Sequence, residues 1–89
     1  MKTSELISLL EQQNPNELLA QYCVVHENYI DFDWDAKGQT VKMLINELKK
    51  EDQDTPIYVD VEDGITYREI TDIYNRYMSP TLNAIDFIT

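Results

Sequence analysis

The sequence predicts an α+β fold, with two main helices packed on one face of an antiparallel sheet of four or five strands. Three observations predict it. Val41, Leu44, Ile45 and Leu48 hold the i, i+3, i+4, i+7 spacing of one helical face, and Leu6, Ile7 and Leu10 hold a shorter version of it. Tyr29 to Trp34 alternates strictly, with Ile30, Phe32 and Trp34 on one side and Asp31, Asp33 and Asp35 on the other, the period of a half-buried strand. Finally, Leu6-Ile7 with Leu10 recurs 38 positions later as Leu44-Ile45 with Leu48. Each copy runs through a polar stretch (Asn14-Pro15-Asn16; Asp52-Gln53-Asp54) into a β-branched run and a tyrosine at matched position, Tyr29 and Tyr67. Self-similarity of this kind suggests two degenerate helix-hairpin units. A shared helix period produces the same match.

The elements follow in order. A helix is expected over residues 3–13, started by a Thr3 or Ser4 hydroxyl that accepts a free backbone N–H and ended at Asn14-Pro15. Asn14 with Glu17 also has the form of a capping box with proline at the first helical position, which predicts a short helical turn through Leu18, Leu19 and Tyr22. Cys23 to Val25 and Tyr29 to Trp34 read as a hairpin around Glu27-Asn28. The helix over residues 40–50 is capped by Thr40, with Lys49 and Lys50 at the negative end of its dipole. Ile57 to Val61 alternates again, with Ile57, Val59 and Val61 inward, and Glu62-Asp63-Gly64 is a hairpin turn. Residues 65–78 admit two readings. Thr66 with Glu69 and the spacing of Ile70, Ile73, Tyr74 and Tyr77 suit a helix, but strand-favouring residues directly after a turn favour a strand, with or without a bulge. Ser79-Pro80 breaks the segment, and Leu82 to Ile88 makes the last strand. The predicted core is Leu6, Ile7, Leu10, Val25, Ile30, Phe32, Trp34, Val41, Leu44, Ile45, Leu48, Ile57, Val59, Ile85 and Phe87.

Size and composition bound the function. Eighty-nine residues make a single small domain over 1–89. A chain this short buries roughly 60–65% of the surface its unfolded form exposes, so its stability margin is thin. An apolar content of 43% is enough for a core, and two glycines argue against a turn-rich all-β barrel. One cysteine, no signal-like segment and no run of membrane-spanning length point to a cytoplasmic soluble protein. Seventeen carboxylates against seven Lys and Arg give a net charge of −10. Such a chain repels nucleic-acid phosphate and anionic membranes, so no direct nucleic-acid or membrane partner is expected. Its electrostatic partner is a basic protein surface, unless the charge serves solubility alone.

Chemical motifs fail on inspection. Asp31-Phe32-Asp33-Trp34-Asp35 opens like a calcium loop, but Ala36 and Lys42 stand where such a loop needs Gly and Glu. Cys23 and His26 lack the further ligands of a zinc site. Cys23 reads as a small core residue and His26 as an exposed polar one. No phosphate-binding glycine loop is present, and neither a catalytic residue nor a metal or cofactor is expected. Tyr58, Tyr67, Tyr74 and Tyr77 read as half-exposed on the sheet, where tyrosines among carboxylates suit a protein contact or plain cross-strand packing.

From Thr40 onward the chain resembles a recurrent type of small acidic, uncharacterised protein of phages and mobile elements. The matching words are Thr40-Val41-Lys42-Met43-Leu44-Ile45-Asn46-Glu47-Leu48, Thr55-Pro56-Ile57-Tyr58-Val59, Asp63-Gly64 with Tyr67 and Ile70, and Ala84-Ile85-Asp86-Phe87. The resemblance implies a helix followed by an antiparallel meander and a non-enzymatic accessory role, and it transfers no site. The expected function is therefore a protein-binding module. In its sharper form Asp31, Asp33, Asp35, Asp60, Glu62 and Asp63 mimic DNA phosphates and inhibit a DNA-binding protein such as a host nuclease or defence protein. The competing class is a small ligand binder or minor enzyme with a site near His26, drawing on Asp31 and Tyr67. Exposed strand edges and the tyrosines also suggest a homodimer.

Overall fold

The computed structural model describes residues 1–80 and 82–89. In chain order its elements are α1 (Thr3–Glu11), β1 (Leu18–Leu19), β2 (Tyr22–His26), β3 (Tyr29–Asp33), α2 (Val41–Leu48), β4 (Tyr58–Asp60), β5 (Tyr67–Glu69), β6 (Asp72–Ser79) and β7 (Leu82–Ile88). The class is α+β, but the expected single antiparallel sheet is replaced by two mixed sheets. One has the order β2-β3-β4-β5 and the other β1-β7-β6. The pairs β3–β4 and β1–β7 are parallel. The first follows from the chain order: α2 lies between β3 and β4, and a helical crossover of this length returns the chain parallel to the strand it left. The two helices pack on each other and do not form the expected layer over one sheet face.

The long strand-favouring segment after the Asp63-Gly64 turn is strand, as favoured, but it is divided. β5 closes the first sheet, and the chain changes sheets at Ile70-Thr71. The Ile70 N–H donates to Ile57 O at 2.9 Å, and the next N–H, of Thr71, donates to Ile88 O at 2.7 Å. A strand that turns a corner between two packed sheets lets both bury their inner faces against one core. The β6–β7 register shifts between Tyr77 and Ser79, an irregularity at the end of the ladder.

Two local expectations are corrected. Leu18, Leu19 and Tyr22 are strand, not a helical turn. The Asn14 side chain accepts from the Asn16 N–H at 3.0 Å, and the carbonyls of Pro15 and Glu17 accept the N–H groups of Lys42 and Val41 at 3.0 and 3.1 Å. Carbonyls turned toward α2 cannot begin a helix of their own. Neither Thr3 nor Ser4 caps α1 from the preceding position. Thr3 is already inside the helix and buried, and the N–H groups of Thr3 and Ser4 donate to Thr55 O (3.0 Å) and Gln53 O (3.2 Å). Thr40 does cap α2, its hydroxyl accepting from the Met43 N–H at 3.3 Å.

These contacts recur at the 38-residue spacing. Thr3 N–H to Thr55 O corresponds to Val41 N–H to Glu17 O, and Ser4 N–H to Gln53 O corresponds to Lys42 N–H to Pro15 O. The bridge Lys2–Pro56 corresponds to Leu18–Thr40, and Ile57 N–H to Met1 O (3.1 Å) corresponds to Leu19 N–H to Gln39 O (2.9 Å). Each helix therefore starts on the loop that leaves the other.

Both helices and the inner positions of the sheets share one core of Leu6, Ile7, Leu10, Leu19, Cys23, Ile30, Val41, Leu44, Ile45, Leu48, Ile57, Val59, Ile70 and Ile85. Val25, Phe32 and Phe87 pack against it, half-buried. Trp34 was expected there and lies outside. Leu19 and Ile70 were not expected and belong to it. Inside the core edge, the buried Gln39 side chain accepts from the Cys23 N–H at 2.8 Å and donates to Cys23 O at 3.0 Å, so it stands in for a neighbouring strand.

The β2–β3 turn places Glu27 and Asn28 at φ of 48° and 64°, the left-handed pair that a two-residue hairpin of this twist requires. Asn28 is buried and does more than turn the chain. Its Nδ2 donates to Thr3 Oγ1 at 2.6 Å and to Asp52 O at 2.9 Å, and its carbonyl accepts from the Tyr58 N–H at 2.9 Å, where β3 and β4 begin to pair. Replacing Asn28 by Gly keeps the turn geometry and deletes the two side-chain bonds. The expected cost is about 1–3 kcal/mol, set by the two lost bonds, since Asp52 O keeps the Thr55 N–H at 3.4 Å. Asn28→Ala adds roughly 1 kcal/mol more for the left-handed backbone. Urea unfolding of the three proteins checks both the cost and the order.

Candidate binding surface

The register of the four-stranded sheet puts Val24 and His26 of β2, Tyr29 and Asp31 of β3, Tyr58 and Asp60 of β4, and Tyr67 of β5 on one outer face. Asp31 is its centre. The Tyr67 hydroxyl donates to Asp31 Oδ1 at 2.7 Å, and His26 Nε2 bonds Asp31 Oδ2. Tyr29 lies between the other rings. It stacks on Tyr58 at 5.3 Å and meets Tyr67 edge-on at 5.0 Å. The three residues named for a ligand or enzyme site, His26, Asp31 and Tyr67, are thus brought together.

Partial desolvation raises the Asp31 carboxyl, but the hydrogen bonds from Tyr67 and His26 and the charge of His26 outweigh it and leave the group below the usual aspartate value. The bond to Asp31, then desolvation, then the charges of Asp31 and Asp60 push Tyr67 up to about 12. Tyr67 is therefore a proton-holding donor at neutral pH and cannot act as a phenolate base. The His26 side chain is 54% exposed on an open sheet face. Burial pushes the Cys23 thiol up to about 12, so it is an inert core group. The cluster can orient a hydrogen-bonding partner, and it encloses none.

The six acids divide. Asp31, Asp60, Glu62 and Asp63 line a hollow of about 690 Å³ together with Phe32, Trp34 and Val61. Asp33 and Asp35 sit at the exit of β3, where Asp33 Oδ1 accepts the N–H groups of Asp35 (3.0 Å) and Ala36 (3.3 Å) and turns the chain. Asp60 does the same for the β4–β5 turn, accepting from the N–H groups of Glu62 (2.9 Å) and Gly64 (2.7 Å). Glu62 accepts from the Thr66 hydroxyl at 3.0 Å. Half of this acidity thus shapes turns, a role the alternation of charges in the sequence does not reveal.

The hollow exists because β3 and β4 pair only at Tyr29–Tyr58 and Ile30–Val59. Beyond that point a second hollow of about 570 Å³ adjoins the first, lined by Val59, Met78 and Phe87, by the Arg76–Asp86 ion pair, and by the shared Phe32, Trp34, Asp60 and Val61. Trp34 is 72% exposed, with Val61 and Met78 also exposed. Trp34 and Val61 were both expected inward. The turn held by Asp33 ends β3 before the alternation can carry Trp34 into the core, leaving its ring against Phe32 at 5.6 Å. The four tyrosines do not share a surface. Tyr58 and Tyr67 stand on the outer face, whereas Tyr74 and Tyr77 are exposed on β6, the outer strand of the other sheet.

Among the described residues no cluster of three or more His, Cys, Asp or Glu could hold a metal ion, and no helix is long and apolar enough to cross a membrane. No protein-family model, curated protein or solved structure matches the chain.

The Asp31–Tyr67 bond has a measurable signature. In an ultraviolet titration of the tyrosines, Tyr67 ionises near 12, and Asp31→Asn moves it back toward its ordinary value of 10. On the acid side the sign is opposite. The folded-state value of Asp31 lies below its unfolded value of 3.8. Its contribution to stability is therefore complete above that value and is lost as pH falls through the lower folded value. Tyr67→Phe should flatten the acid limb of the stability profile, as read by urea unfolding across pH.

Proposed function

We propose that the protein is a non-enzymatic binding module whose paired hollows take a basic segment of a partner protein that carries an apolar side chain. One observation carries this reading: the exposed Trp34, with Val61 and Met78 beside it, is rimmed by Asp31, Asp60, Glu62 and Asp63. A contiguous apolar surface with a charged border is the anatomy of a protein contact, in which aromatic residues supply affinity and the rim supplies steering. The centre favours a protein segment over a plain phosphate-like array, since a DNA-binding groove would meet Trp34 between the carboxylates. In the sharper form of the proposal the partner is itself a DNA-binding protein. A ligand site at His26 is the second reading, supported by the bonds that join His26 and Tyr67 through Asp31.

The experiment is affinity capture followed by a direct titration of the captured partner. Trp34 is the sole tryptophan, so its emission reports on docking. Binding should shift that emission to the blue, weaken with salt, and fall with Glu62→Gln plus Asp63→Asn. Trp34→Ala should change folding stability by no more than about 0.5 kcal/mol, as expected for an exposed side chain, while weakening the complex by roughly 2 kcal/mol or more, as read by titration calorimetry because this variant has no tryptophan. Unchanged affinity in Trp34→Ala rejects the hollow as the contact. Competition by duplex DNA separates a DNA-binding partner from other basic proteins.

A further inference from the structure

The two sheets end in the edge strands β1, β6, β2 and β5. β1 is two residues long and β5 three, too short to template another strand. The outer edge of β2 is occupied by Gln39, which bonds both backbone groups of Cys23. β6 differs from all three. It runs for eight residues, contains neither Pro nor Lys, and among the described residues pairs on one side only, with β7. Long edges of this kind are the ones that proteins ordinarily blunt.

The backbone direction of the edge follows from β7. There Asn83 O and Ile85 O accept from the Ala20 N–H (2.7 Å) and from Gln21 Nε2 (3.0 Å), on the side away from β6. Alternation turns the groups of Ala84 and Asp86 toward β6, opposite Arg76 and Tyr74, and turns those of Ile73 and Asn75 outward. Among the described residues, the one bond at these outward groups runs from the Ile73 N–H to the neighbouring Asp72 Oδ1, at 2.8 Å. Asp72, Tyr74 and Arg76 share one face of the strand, and all three are exposed.

A second copy of the chain fits this edge. Two antiparallel copies of β6 related by a two-fold axis must pair outward groups with outward groups, so the axis passes through a residue and not between two. An axis at Arg76 sets the two guanidiniums against each other. Only an axis at Tyr74 puts Asp72 of each copy directly across from Arg76 of the other, and in a non-hydrogen-bonded pair, where side chains approach most closely. We propose that β6 is the edge of a two-fold homodimer, paired antiparallel about Tyr74 with Asp72 of each copy beside Arg76 of the other. Ile73 and Asn75 exchange N–H and C=O across the axis. The Ile73 N–H leaves Asp72 Oδ1 as that carboxylate turns to the arginine. Arg76 already reaches Asp86 at 3.4 Å on its own sheet, so in the pair it lies between two carboxylates.

Sedimentation of the full chain from micromolar to millimolar concentration tests it, and a monomer–dimer equilibrium is expected. Arg76→Asp and Asp72→Arg should each weaken dimerisation by about tenfold or more, because both cross-strand pairs become like-charged. An equimolar mixture of these two variants should dimerise again, since every charge then meets its opposite. Tyr74→Cys should form an intermolecular disulfide on mild oxidation, and Arg76→Cys, two positions from the axis, should form one far more slowly. The native Cys23 is buried and does not compete. Tyr74→Cys carries the test if a charge variant does not fold. A chain that stays monomeric at millimolar concentration overturns the proposal. So does a dimer that Arg76→Asp leaves intact, a mixture of the charge variants that stays monomeric, or a disulfide that forms as fast in Arg76→Cys as in Tyr74→Cys.

Discussion

The exchange of carbonyls between the two helix starts is the constraint on which the other contacts hang. A helix N-terminus has N–H groups with no partner inside the helix. Here Thr3 and Ser4 give theirs to Thr55 and Gln53, and Val41 and Lys42 give theirs to Glu17 and Pro15. Neither helix is complete without the loop that follows the other. That makes the pair cooperative, which matters in a chain too short to have stability to spare. The same exchange fixes what comes next. Ile57 and Leu19 are held beside Met1 and Gln39, so each sheet receives a strand at a set height and angle. Asn28 then bolts the β2–β3 turn to the junction through Thr3 and Asp52.

How far the sequence could be read follows from which forces are local. The faces of α1 and α2, the β2–β3 hairpin and β7 were legible, because periodicity and turn chemistry act over a few residues. The failures are places where a distant partner decides. Asn14 to Glu17 has the letters of a capping box, yet the carbonyls of Pro15 and Glu17 are committed to α2. Ile70 and Thr71 are ordinary strand residues on either side of a sheet change, and only the competing partners Ile57 and Ile88 divide them. Trp34 continues a strict alternation past the point where the Asp33 carboxylate ends the strand.

The candidate surface shows the same division. His26 and Asp31 are diagonal neighbours across a hairpin register that the sequence implied. Tyr67 reaches Asp31 from 36 residues away, across a parallel pairing that the sequence did not suggest. The charge of −10 also changes meaning once the turns are seen. Asp33 would hold its turn equally well as an asparagine, since one acceptor oxygen is used there, whereas Asp60 uses both carboxylate oxygens, Oδ1 for the Glu62 N–H and Oδ2 for the Gly64 N–H. Glu62 bonds a hydroxyl that any acceptor would satisfy. At Asp33 and Glu62 the fold explains an oxygen atom and does not explain negative charge.

That surplus of charge bears on the hollow. A small protein gains by burying its largest ring, about 1.5–3 kcal/mol for a large apolar side chain, and this one leaves its only tryptophan in solvent. An exposed apolar patch invites a second copy of the same chain. The rim opposes that outcome, because two copies meeting hollow to hollow would bring Asp31, Asp60, Glu62 and Asp63 against the same four carboxylates. Like charges facing one another across an interface are costly, and the cost falls on self-association while favouring a partner of opposite sign. Self-pairing along the outer strand β6 meets less of that penalty, since the strand carries Arg76 as well as Asp72. The acidic rim and the exposed tryptophan are thus two parts of one selection: the ring supplies the contact and the charge decides what is allowed to make it.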